Sequence, residues 1–108
     1  MATQEEINGI FPAMMNSFRA DKAEGLNATI QFELSGENGG MFWVKIANGA
    51  VEHGTGSTAA DMTVKAAAND FHDIATGKSN PMQAFMMGKI KVTDMQLGMK
   101  MMTIFQLG

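Results

Sequence analysis

Residues 69–102 read NDFHDIATGKSNPMQAFMMGKIKVTDMQLGMKMM. The run holds two short helical patterns that each end in glycine, then a lysine-flanked strand, then a longer helix. Phe71, Ile74 and Ala75 form the apolar stripe of the first pattern, with Asn69 as its expected N-cap and Gly77 as its stop. Asn80-Pro81 opens the second, with proline at the first helical position, where its missing N–H costs nothing. Ala84, Phe85 and Met86 follow, and Gly88 ends it. In KIKV, residues 89–92, Ile90 and Val92 face inward and the lysines outward. Asp94 is a good N-cap for the last helix.

That last helix has an unusual wheel. Gln96, Lys100 and Thr103 make one narrow polar stripe. Leu97, Met101 and Ile104 form one apolar row, Met95, Met99 and Met102 a second, with Phe105 between them. Gln106 is the only polar residue on this arc. An ordinary surface helix needs an apolar stripe somewhat wider than about 100°, and this one is roughly twice that. It should therefore meet two apolar things. The Leu97 row is expected to pack on protein, and the Met95 row to face a ligand, a membrane or another subunit. Seven of the chain's twelve methionines lie in this third of it. Methionine is unbranched and polarizable and adapts to variable shapes, whereas a fixed core favours Leu, Ile and Val. The bland alternative is a loosely specified core.

Upstream, Thr3 and Glu6 have the spacing of a capping box. Ile7, Ile10, Phe11, Met14 and Phe18 follow at helical spacing, and Pro12 is expected to kink or split that helix. Strands come next. In ATIQFELS, Ile30, Phe32 and Leu34 share one face; in MFWVKIA, Phe42, Val44 and Ile46 share one face and Met41, Trp43 and Lys45 the other. Glu37-Asn38-Gly39-Gly40 is a turn signal, and Asn48-Gly49 a hairpin signal because both central positions need positive φ. A third strand runs from about Ala50 to His53, and a fourth over Asp61–Ala66 with Met62, Val64 and Ala66 on one face. One apolar face per strand predicts an antiparallel sheet covered on one side only.

The 108 residues amount to one domain, residues 1–108, with a globular composition of 45 % hydrophobic and 18 % charged residues. The absence of cysteine removes disulfides and thiolate chemistry. The acidic start MATQEEINGI does not read as a signal peptide, the C-terminus IFQLG carries no peroxisomal address, and no apolar stretch approaches the roughly 18 residues of a membrane span. Charge is uneven. The net is −3, yet from Lys78 onward Lys78, Lys89, Lys91 and Lys100 face only Asp94. A single arginine argues against nucleic acid as a partner. The lysines suit an anionic head group or an anionic membrane surface.

Catalytic constellations are scarce. His53 and His72 lie in no metal-ligand spacing and are expected in solvent. Asp70 and Asp73 sit where they meet a helix dipole, a structural role. Ser57 and Ser79 have no acid-base partner near them in sequence. No catalytic residue, metal or cofactor is expected.

The stretch from Ala60 to Val92, ADMTVKAAANDFHDIATGKSNPMQAFMMGKIKV, resembles the sterol carrier protein 2 family, the sterol-transfer domain. The matching elements are Asp61, Asp70-Phe71, Thr76-Gly77-Lys78, Asn80-Pro81, Ala84-Phe85, Gly88-Lys89-Ile90-Lys91, Asp94-Met95, Leu97 and Met99-Lys100, with Trp43 and Asn48-Gly49 fitting the earlier hairpin. Val92-Thr93-Asp94 lacks the glycine usual there, which implies a different approach to the last helix. The resemblance implies an α+β fold: a five-stranded, mainly antiparallel sheet covered on one face by helices, with an apolar tunnel between the layers. It implies non-catalytic binding and transfer of lipid, with fatty acid or fatty acyl-CoA a better ligand than sterol for a stand-alone, cytoplasmic form.

On this reading the lipid contacts Phe32, Val44, Ile46 and Met62 of the sheet. From the helices come Met14, Phe18, Phe71 and Phe85, then Met95, Met99, Met102 and Phe105. Lys89, Lys91 and Lys100 meet the head group. Other partners are a membrane surface, touched transiently, and a second copy in a homodimer. The alternative is a protein-interaction or dimerisation module that uses the last helix and the outer sheet face with Met41 and Trp43. A third reading, a hydrolase or its helper subunit, needs a polar group inside the cavity.

Overall fold

The Thr3–Glu6 capping box forms. The Glu6 N–H donates to Thr3 Oγ1 at 3.1 Å and the Thr3 N–H to Glu6 Oε1 at 3.0 Å, starting α1 (Gln4–Asn16). The computed structural model describes residues 1–106. Pro12 does not split α1, which runs unbroken through it, so of the two expected outcomes the split is excluded. Pro12 and Asn8 both lie on the exposed side, so the carbonyl that loses its partner stays open to water. After a short 3-10 turn at Ala20–Lys22 come β1 (Ala28–Ser35), β2 (Gly40–Ala47), β3 (Ala50–Thr55) and β4 (Met62–Ala67). Then follow α2 (Ala68–Ala75), α3 (Pro81–Met86), β5 (Ile90–Val92) and α4 (Met95–Ile104).

The five strands form one sheet in the order β3-β2-β1-β4-β5. The hairpin at Asn48-Gly49 has φ of 53° and 76° at its two central residues, as its type requires. The sheet is mixed, because β4 lies parallel to β1 while the other three pairings are antiparallel. Alternation of apolar and polar residues within a strand does not report direction, so this pairing was invisible in the sequence. Asp61 fixes it. Its carboxylate accepts from the Thr29 N–H at 2.8 Å, and its own N–H donates to the Thr29 carbonyl at 2.8 Å.

The inner face carries the apolar set expected for it, with Ile30, Val44 and Ile46 completely buried. Phe11 of α1 stacks on Phe42 with ring centroids 4.5 Å apart and meets Phe32 edge-on at 5.3 Å. Phe71 of α2 lies 5.4 Å from Phe32. The outer face has no helix, but the segment after β3 crosses it at Gln31. That side chain donates to the carbonyls of Phe42 and Gly56 and accepts from the Thr58 N–H at 2.8 Å, which explains a buried glutamine on the polar face.

Two further expectations need correction. Asn69 does not cap α2; Ala67 occupies the cap position. Asn69 instead accepts from the Ala2 N–H at 2.8 Å and ties the start of the chain to α2. His72 is not in open solvent: its side chain is 14 % exposed and Nε2 lies 3.8 Å from Glu6 Oε2. The other caps hold. Asn80 accepts from the N–H groups of Met82 and Gln83, and Asp94 from that of Leu97. α3 ends in a Schellman motif, with the Lys89 N–H on the Ala84 carbonyl and the Gly88 N–H on that of Phe85.

Candidate functional site

The helices do not cover the inner face evenly. α1 packs over the β3 side, where Phe11 fills the space above Phe42. Above β1, β4 and β5 a pocket of about 370 Å³ remains. Its floor is Phe32, Met62, Val64, Ile90 and Val92, all on the inner face. Its wall is Met14 of α1, Phe71 and Ile74 of α2, and Pro81 of α3. α4 and the residues after it close the rest with Gly98, Met101, Met102, Phe105 and Gln106. Gln106 is the only polar side chain in this lining among the described residues.

α4 is held at both ends. At its start Asp94 caps it, and Gly98 faces β5, where an added Cβ would make ordinary contact with the Val92 side chain at 3.5 Å. Thr93 secures the approach that lacks the usual glycine. Its N–H donates to the Thr63 carbonyl, and its hydroxyl accepts from the Thr63 N–H at 2.9 Å. At its end, the Arg19 N–H donates to the Ile104 carbonyl at 2.7 Å, and Phe105 lies against Phe18 at 5.7 Å. Between these anchors the helix spans the pocket.

Of the residues expected around the lipid, the structure brings Met14, Phe32, Met62, Phe71, Met102 and Phe105 together in the pocket lining. Val44 and Ile46 do not reach it; both are fully buried on β2. Phe18 packs on Phe105 behind the wall, and Phe85 is half-buried on α3 without lining the pocket. Met95 and Met99 point outward and are 40 % and 54 % exposed. Within α4, Leu97 and Ile104 are buried as expected, while Met101, placed by the wheel in the protein-packing row, lines the pocket.

The lysines divide as well. Lys91 pairs across the ladder with Lys65 on the outer face, opposite to the pocket, and Lys89 borders the same outer cleft. Lys100 is exposed on α4. Gly98 gave no signal in the sequence, because it has no side chain to place on the wheel, whereas Gln106 lay on the apolar arc of the wheel but was not expected at the lipid. Ile90 and Val92 had already been read as inward. Both are half-buried in the structure and line the pocket.

Two carboxyl groups lie below their ordinary values, and both are structural. The Thr3 N–H, donating to the carboxylate, lowers Glu6, and the Arg19 guanidinium lowers Asp21. Among the described residues no cluster of acidic or imidazole groups could hold a metal ion.

The SCP-2 sterol transfer family model matches residues 8–106. The "Hydroxysteroid dehydrogenase-like protein 2" of Mus musculus is 38 % identical over 84 residues, which cover 76 % of this chain and 17 % of that protein. The chain thus spans about one sixth of that relative's length. The palmitated SCP2L2 of Aedes aegypti, solved in solution, superposes with a TM-score of 0.70 at 20 % identity, covering 95 % of each chain. The stereoselective inverting sec-alkylsulfatase Pisa1 from Pseudomonas sp. contains the same fold, with a TM-score of 0.72 at 22 % identity over 91 % of this chain and 16 % of that one.

Proposed function

The chain belongs to the SCP-2 sterol transfer family, and on that premise we propose that its pocket takes up and carries one acyl chain, as fatty acid or fatty acyl-CoA, without covalent chemistry. The family is one of lipid binding and transfer. The observation that carries the finer reading is a pocket of about 370 Å³ whose wall is aliphatic, aromatic and thioether except for Gln106. Such a wall rewards methylene groups and offers a charged head nothing. The acyl chain lies over Phe32, Val64 and Val92, and the carboxyl or thioester comes to the Gln106 amide, which is exposed. A coenzyme A moiety stays outside. The palmitate of the Aedes aegypti relative's name fits the same chemistry.

At about 30 Å³ for a group the size of a water molecule, the pocket holds roughly a dozen methylenes. Each contributes about 0.8 kcal/mol on leaving water, so a filled pocket supplies roughly 10 kcal/mol before the cost of association. Taking that cost at its lower end, about 4 kcal/mol, leaves a dissociation constant on the order of 0.1 mM. Native mass spectrometry of the purified protein, with extraction of its lipid, tests the assignment directly. A bound acyl lipid is expected, along with saturable binding of a fluorescent fatty acid. Ile90→Trp, which fills the pocket from a half-buried position, should abolish that binding while leaving the circular dichroism unchanged. A protein with neither extractable lipid nor saturable fatty-acid binding is not this carrier.

A further inference from the structure

The chain has no cysteine, so its twelve methionine thioethers are the only sulfurs it offers to an oxidant. The fold sorts them by what they touch. Met86, Met95 and Met99 are exposed and lie outside the pocket lining. Met14 and Met62 line the pocket but are 4 % and 2 % exposed, which shields them from a dissolved reagent. Met101 lines it and is half-buried. Among the described residues Met102 alone combines the two properties: it is 43 % exposed and it lines the pocket. Oxidation turns a flexible apolar thioether into a polar, chiral sulfoxide. At Met86 or Met99 that change stays in solvent. At Met102 it puts a polar oxygen on a wall whose one polar side chain is Gln106.

We propose that Met102 is a site of modification by peroxides, and that its oxidation lowers the affinity of the pocket for an acyl chain. The proposal rests on the carrier reading, which supplies the ligand that the sulfoxide disfavours. The reagent is hydrogen peroxide or an alkyl hydroperoxide. A lone pair of the Met102 sulfur attacks the terminal peroxide oxygen. The S–O bond forms as the O–O bond breaks, and the departing hydroxide or alkoxide leaves as water or alcohol once protonated. Sulfur is oxidised by two electrons and the peroxide is reduced by two. The consequence follows from solvation. In the empty protein the sulfoxide oxygen is hydrogen-bonded to water at the pocket edge. An acyl chain entering beside it displaces that water and offers only methylene groups in return, so binding now carries the cost of an unpaired polar group. Reduction of the sulfoxide returns the thioether and the apolar wall, which makes the change reversible.

The test titrates the full chain with a fluorescent fatty acid during a time course in hydrogen peroxide, with peptide mass spectrometry locating each sulfoxide. The dissociation constant of the wild type should rise about tenfold, in step with the sulfoxide at Met102 rather than with those at Met86 and Met99. Methionine sulfoxide reductases should bring the affinity back. In Met102→Leu, peroxide should shift the dissociation constant by less than about twofold relative to that variant's own untreated sample. Met86→Leu/Met99→Leu, altered outside the lining, should respond to peroxide as the wild type does. The wild-type time course carries the test by itself if leucine at 102 abolishes binding. Four results overturn the site. Met102 stays reduced while Met86 and Met99 convert; Met102 converts fully with the affinity unchanged; Met102→Leu loses affinity to peroxide as steeply as the wild type; or circular dichroism shows that the oxidised protein has unfolded, which makes the loss one of fold. Untreated protein that binds fatty acid and keeps its affinity in peroxide removes the modification site alone. Untreated protein that binds no fatty acid removes the carrier and the site together.

Discussion

Gln31 and Gly54 are two outer-face positions at which one side chain decides local structure. The Gln31 amide joins β1 to β2 and to the segment after β3 through bonds of 2.8–3.0 Å, while only 4 % exposed. Leucine would fill the volume and leave those backbone groups unpaired. Gln31→Leu should therefore cost about 2–3 kcal/mol, read as a lower urea midpoint with unchanged slope. Gly54 lies under Trp43, and a Cβ there would come within 2.4 Å of the indole. Gly54→Ala should displace the ring and cost about 1–3 kcal/mol. Trp43 is the only tryptophan, so its emission reports the displacement directly. A spectrum and stability identical to wild type would show that alanine fits there without displacing the ring. Neither contact was legible in the sequence, since each joins strands through a register that alternation alone does not set. The apolar inner face, by contrast, was legible residue by residue in Ile30, Phe32, Val44 and Ile46.

The elements are specified mainly by their ends. Thr3, Asn80 and Asp94 all cap as their chemistry predicts, because a cap involves only residues within one turn. Thr3→Ala should cost about 1 kcal/mol. The other half of the capping box depends on pH, since the Glu6 carboxyl lies below its ordinary 4.5 in the folded protein. The stabilisation linked to Glu6 is fully present above that ordinary value and is lost as pH falls through the lower, folded one. The difference between wild type and Glu6→Gln should thus be largest near neutrality and shrink in acid, as followed by thermal unfolding at a series of pH values. A difference that stays constant down to pH about 3 would rule out the carboxylate's part in the cap. Asn69 shows where local chemistry loses. Its side chain fits a cap, but bonding to Ala2 across 67 residues of sequence takes it.

At the scale of the whole molecule, α1 fills one half of the inner face and leaves a pocket over the other. A series of saturated fatty acids measures the pocket's depth. Affinity should rise about tenfold for every two methylenes added up to roughly twelve carbons, then flatten as the chain outgrows the space. A rise that continues unchanged to eighteen carbons would mean that the pocket opens further when occupied. The sequence by itself determined the elements, the caps at Thr3, Asn80 and Asp94, and the apolar inner face of the sheet, because these depend on neighbours one turn or two residues away. It also carried, in the spaced residues from Asp61 to Lys100, the family to which the chain belongs. Only the tertiary structure decided the rest: the parallel pairing of β1 with β4, the burial of Val44 and Ile46 away from the pocket, and the split of the methionines between lining and outer surface. Those outcomes depend on which elements meet and at what angle. A residue's hydrophobicity says that it leaves water, not whether it does so against the core, a ligand or a membrane.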